Sequence, residues 1–80
     1  MTGERRAEFV KIAKGKLEEA RTTVRIARDE VWKDVQAKEK DGLLTEDDKF
    51  SLKDELQKRV DKANKELEEA FERKEKEMSA

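Results

Sequence analysis

From Glu4 to Asp41 the apolar residues Val10, Ala13, Leu17, Ala20, Val24, Ala27 and Val31 recur at alternating intervals of three and four. That spacing gathers them into a heptad stripe on one long α-helix. Phe9, Ile12, Ile26, Trp32 and Val35 fall outside the stripe. The apolar surface is therefore wider than a two-stranded seam needs, and more than one neighbouring helix can be accommodated.

Gly42 is the first strong punctuation, and it follows Lys38 and Lys40, cations that suit the negative end of a helix dipole. The turn is placed at Gly42, Leu43 and Leu44. Thr45 with Glu46, Asp47 and Asp48 reads as an N-cap followed by an acidic first turn, because a side-chain oxygen there can accept from an orphan backbone N–H. Leu56, Val60, Ala63, Leu67 and Ala70 then continue the four-three spacing, with Leu52, Phe71 and Met78 beside it. The pattern predicts helices over about 4–41 and about 45–78, each roughly 50 to 57 Å long at 1.5 Å per residue. A three-residue turn makes them antiparallel neighbours. The expected fold is all-α, a single unit over 1–80 forming a long two-helix hairpin. Each helix leaves part of its apolar surface wet, so a partner or a second copy is expected to complete a three- or four-helix bundle.

Composition narrows this reading. Of 80 residues, 51% are charged and 34% hydrophobic, and there is no proline. Disorder usually combines high net charge with absent periodicity, whereas here the formal charge is −1 and the apolar positions recur regularly. Cysteine and histidine are absent, which removes thiolate metal sites, disulfides and the commonest general base. No apolar run approaches the ~20 residues of a membrane span, and the N-terminus lacks a signal-peptide pattern. A soluble, intracellular protein without cofactor or metal is expected. Gly15 lies inside the first helix, either as a tolerated exposed glycine or as a point of close approach for a partner's backbone.

The charge is unevenly spread. Residues 1–28 hold eight basic side chains against four acidic ones, while the second helix is acidic. Lys11, Lys14, Arg21, Arg25 and Arg28 fall on one flank of the stripe, interrupted only by Glu18. A row of guanidinium groups can pair with phosphate oxygens and release counterions, the electrostatic footprint of an RNA-binding face. The competing reading is a solvated face whose charges pair locally, Arg25 with Asp29 or Arg21 with Glu18. Trp32 continues the flank one turn on, where it can stack on a base or pack against another helix.

Catalytic patterns are missing. Glu18 with Glu19, and Glu68 with Glu69, are adjacent in sequence and do not converge on one point of a helix. The run Glu46-Asp47-Asp48 lacks the glycine and alternating ligands of a calcium loop. Ser51 and Ser79 are the only serines, and nothing pairs them with a base. The chain is not expected to be an enzyme.

Thr2-Gly3-Glu4-Arg5-Arg6, Lys11-Ile12, Glu18-Glu19-Ala20-Arg21, Val24-Arg25 and Arg28 resemble the helix after the hinge in ribosome recycling factor. Thr45-Glu46-Asp47-Asp48, Glu55-Leu56-Gln57-Lys58 and Lys74-Glu75-Lys76-Glu77-Met78 resemble the remainder of that factor's C-terminal portion, in the same order. The resemblance spans almost the whole chain. It implies part of a three-helix domain that lies across the tRNA sites of the large ribosomal subunit and contacts its rRNA. With elongation factor G, the family splits post-termination ribosomes into subunits. The family's rRNA-contacting arginines match Arg21, Arg25 and Arg28 here, with Lys11 and Lys14 as supporting cations.

Family chains are more than twice as long, with a preceding helix and an inserted β-rich domain. Lys38, Glu39, Arg59 and Asn64 stand where members often carry apolar residues, and Trp32 where a small polar one is common. The expectation is thus a truncated or engineered cytoplasmic or organellar piece that binds large-subunit rRNA but is inactive in recycling alone. The alternative is a self-associating, dimeric helical module derived from the same family.

Overall fold

The computed structural model describes residues 2–79, and the side chains of residues 3–78. Met1 and Ala80, the ends of the single unit expected from the sequence, lie outside the described residues. Two helices account for nearly all of it: α1, Thr2–Lys40, and α2, Glu46–Ser79. They lie against each other as an antiparallel hairpin measuring 62 × 16 × 9 Å, and there is no strand among the described residues.

The reversal is built from backbone hydrogen bonds that the two flanking sequences dictate. Gly42 adopts φ +79°, the left-handed region in which a glycine carries no Cβ penalty. This lets the Leu43 N–H donate to the Lys38 carbonyl at 2.9 Å and the Gly42 N–H to the Glu39 carbonyl at 3.0 Å. Both would otherwise be orphan carbonyls at the end of α1. On the far side of the turn, the Asp48 N–H donates to Thr45 Oγ1 at 3.1 Å, while the Thr45 N–H donates to Asp48 Oδ2 at 3.0 Å. This reciprocal pair is a capping box with aspartate in the place usually taken by glutamate. Lys49 Nζ reaches Glu39 Oε2 at 3.3 Å and ties the two helix ends together across the turn.

The seam departs from the expected stripe in the second half of α1. Val10, Leu17 and Val24 are half-buried as the heptad spacing requires, but Ala27 is exposed and Val31 is 48% exposed. Arg28, Trp32, Val35 and Glu39 take their places against α2. A strict heptad follows a helix only if the helix supercoils; on a straight helix of 3.6 residues per turn the stripe drifts by about 20° per heptad. Taken along the whole helix, the facing positions Val10, Ala13, Leu17, Ala20, Val24, Arg28, Trp32, Val35 and Glu39 keep a mean spacing of about 3.6, the straight-helix period. On α2 the seam runs through Lys49, Leu56, Val60, Leu67, Phe71 and Met78, close to its expected positions.

Two helices cannot enclose a core. Among the described residues only Val35 and Val60 are buried, each at 8% exposure. The Cα radius of gyration is 18.2 Å, against about 12 Å for a compact domain of this length. The accessible surface is 6833 Å², against about 5,000 Å² for a compact monomer of this mass. On one face Phe9, Ile12, Ala13 and Ala20 of α1 and Leu67 and Ala70 of α2, with Lys16 and Lys74 among the residues around them, line an open groove of about 450 Å³. Gly15 lies away from that groove, and a Cβ built on it meets nothing within 4 Å.

Candidate nucleic-acid interface

The side of the seam opposite the apolar groove carries the row of basic residues expected to face RNA. Lys14, Arg21, Arg25, Arg28 and Trp32 follow one another at intervals of seven, four, three and four, so helical geometry holds them in one row beside α2, with Lys11 at its outer edge. The structure divides this row into two kinds of cation. Lys11, Lys14 and Arg25 are exposed and have no ion pair among the described residues. Arg21 and Arg28 are half-buried and engaged.

Arg21 spans the seam, with Nη1 3.5 Å from Glu18 Oε1 and Nη2 3.6 Å from Glu68 Oε2. Its buried Nε and the buried Asn64 Oδ1 have no hydrogen-bond partner, an unusual pair of omissions at mid-seam. Arg28 places Nε and Nη2 on Asp29 Oδ1 at 3.2 and 3.0 Å. Of the two local pairs weighed from sequence, Arg21–Glu18 is present, whereas Asp29 turns to Arg28 rather than to Arg25. Ion pairs this exposed hold their partners weakly, so a polyanion can compete for these arginines.

The facing row of α2 changes character along its length. Toward the open end it presents acids, Asp61 and Glu68 among them. Toward the turn it presents Lys49, Lys53 and Gln57. Lys49 Nζ and Lys53 Nζ lie 5.7 and 5.9 Å from the centroid of the Trp32 ring, within cation–π range. Arg28, Asp29, Trp32, Lys53, Leu56 and Gln57 together border a cleft of about 230 Å³. These α2 residues were overlooked from sequence because the helix is acidic overall. The signal was nonetheless available: an antiparallel hairpin centred on residues 42 and 43 sets Lys53 opposite Trp32 and Gln57 opposite Arg28.

Nothing in the arrangement gathers the parts of a metal site, since among the described residues no group of three acidic side chains could hold an ion. No helix among the described residues is long and apolar enough to cross a membrane. The Asp48 carboxyl is held below its ordinary 3.8 by the hydrogen bond from the Thr45 backbone N–H and then by the Thr45 side chain.

The chain is similar to known proteins over nearly its whole length. The family model described as ribosome recycling factor matches residues 1–78. The ribosome-recycling factor of Fervidobacterium nodosum is 43% identical over 77 residues, covering 96% of this chain and 42% of the relative. That of Desulforamulus reducens is 45% identical over 78 residues, covering 98% and 42% respectively. That of Thermotoga maritima is 39% identical over 77 residues, covering 96% and 42%. The chain thus spans about two-fifths of the length of the curated relatives it matches. No solved structure matches it.

Proposed function

The chain belongs to the ribosome recycling factor family, and from that premise we propose that the hairpin is a ribosome-facing helical domain that lays its basic row on large-subunit rRNA during post-termination disassembly. Arg25, Lys14 and Lys11 make the first phosphate contacts because they are exposed and unpaired. Arg28 and Arg21 follow by exchanging carboxylates for phosphates. The observation that carries this reading is the placement of the row: Lys14, Arg21, Arg25 and Arg28 follow one another along one side of the seam, while the apolar groove, with Lys16 and Lys74 at its rim, lies on the other. A domain wedged between rRNA and another helix needs two such faces.

On this reading the chain catalyses no reaction of its own and acts in the cytoplasm, where post-termination ribosomes are. Splitting ribosomes together with elongation factor G calls on the rest of the factor, and the hairpin alone binds without recycling. The test is co-sedimentation with bacterial large subunits over a salt series. Saturable binding should fall steeply with salt, and Arg25→Ala with Arg28→Ala should weaken it and flatten the logarithmic salt slope by about one per lost phosphate contact. Binding indifferent to both arginines would refute the reading.

A second reading is favoured by the apolar groove. Phe9 and Ile12 are 53% and 57% exposed, and Leu67, Ala70 and Phe71 line the same groove from α2. Two hairpins meeting through this face would form an antiparallel four-helix assembly. Such a dimer would resist salt, and light scattering of Ile12→Lys against the unmodified chain separates it from the rRNA-facing reading.

A further inference from the structure

We propose that the cleft at Trp32 is a stacking site for one unpaired RNA base and its phosphate, extending the rRNA face from α1 onto α2. The inference rests on the rRNA-facing reading and adds to it a site that reads a base rather than a backbone.

Trp32 is the only tryptophan of the chain and is half-buried between the helices, so its ring is held by the seam rather than free to rotate in solvent. Leu56 borders the cleft with an apolar side chain, and Lys53 Nζ lies over the Trp32 ring, 5.9 Å from its centroid. The two lysines beside the ring differ. Lys49 is committed to Glu39 at 3.3 Å, while Lys53 is exposed and has no carboxylate partner among the described residues. An uncompensated ammonium beside an aromatic ring is the pairing that single-stranded nucleic acid uses: the base stacks on the ring and the attached phosphate takes the charge. Phe50, 59% exposed and three residues before Lys53, offers a second ring on the same side of α2.

The polar groups in the cleft give it a preference. Gln57 donates its Nε2 to Asp61 Oδ1 at 2.9 Å, which leaves its carbonyl oxygen to accept. Asp29 uses Oδ1 for Arg28, which leaves Oδ2 to accept. Two acceptors at the cleft suit a base with an exocyclic amino group, adenine, cytosine or guanine, over uracil.

The single tryptophan reports directly on the site. Titrating the chain with end-labelled hexamers of oligoadenylate and oligouridylate at low salt, while following label anisotropy and tryptophan emission together, should give quenching of Trp32 with the same midpoint as binding, stronger for adenylate. Trp32→Leu should weaken adenylate binding roughly tenfold and Trp32→Phe by much less, as stacking predicts. Lys53→Ala, at an exposed position that does not threaten the fold, should weaken binding and reduce its salt dependence. Inorganic polyphosphate should compete for the basic row without quenching Trp32. Anisotropy that rises while Trp32 emission stays constant, with Trp32→Leu binding as the parent does, would overturn the stacking site and leave the phosphate-binding row intact. No binding of either hexamer under those conditions would overturn both.

Discussion

The turn-proximal half of the hairpin and its open half contain the same kinds of residue and are put together differently. In the turn half Val35 and, close to mid-seam, Val60 are buried, Gly42 and Thr45 close the backbone, and Lys49 joins Glu39 across the helix ends. Toward the open end Phe9 and Ile12 are more than half exposed, and the middle of the seam holds Arg21 and Asn64 with buried atoms left unpaired. The difference teaches where this chain closes on itself. The turn half holds the two buried residues and the local backbone closure while still exposing Ile26, Val31, Leu43 and Phe50, and the open half carries the apolar groove that another helix can cover.

The strongest way to break that comparison is to truncate one β-branched aliphatic side chain to alanine in each half. Val60→Ala removes methyl groups from one of the two buried positions and should destabilise the chain by about 2 kcal/mol. Ile12→Ala, at a position 57% exposed, should cost no more than about 0.5 kcal/mol. Denaturant melts followed by circular dichroism compare the two. Equal losses would mean that the open half is covered in solution, which is the outcome self-association through the groove requires.

A smaller effect sharpens the comparison from the turn side. Thr45→Ala removes the acceptor for the Asp48 N–H and should cost about 1 kcal/mol, with amide exchange accelerating in the first turn of α2 and unchanged near Phe71. Acidification probes the other half of the same box. Because the folded pKa of Asp48 lies below its ordinary value, the carboxylate's contribution is fully present above that value and is lost as pH falls through the folded pKa. The first turn of α2 should therefore loosen below about pH 4. An Asp48→Asn variant should show no such transition at that turn.

The same division explains what could be read in the sequence. The turn was legible because its determinants are local: glycine at the left-handed position and threonine three residues before aspartate specify hydrogen bonds within a few residues. The stripe was legible through Val24 and then failed, since Ala27 and Val31 continue a heptad that a straight helix does not follow. Arg28 and Trp32 consequently seemed to lie on an outer flank, whereas they lean against α2. For the candidate site, the α1 row was visible as a run of like charges at helical spacing. Its continuation through Lys53 and Gln57 depends on which residues of α2 lie opposite, a tertiary fact hidden by that helix's acidic average.

Gly15 supplies the smallest and most discriminating test. It lies in the open half, inside α1, and a Cβ there meets only open space. Gly15→Ala should therefore stabilise the helix by about 0.5–1 kcal/mol through reduced backbone entropy in the unfolded chain. The gain should appear in a thermal melt of the isolated chain. Gly15 also sits directly after Lys14 and one turn beyond Lys11, at the outer edge of the basic row. If rRNA touches that edge only through the long lysine side chains, the added methyl leaves large-subunit binding unchanged. If the substitution stabilises the fold and weakens binding, the glycine is there because a partner's backbone comes within van der Waals reach of α1, and the row is pressed against its target rather than reaching across to it.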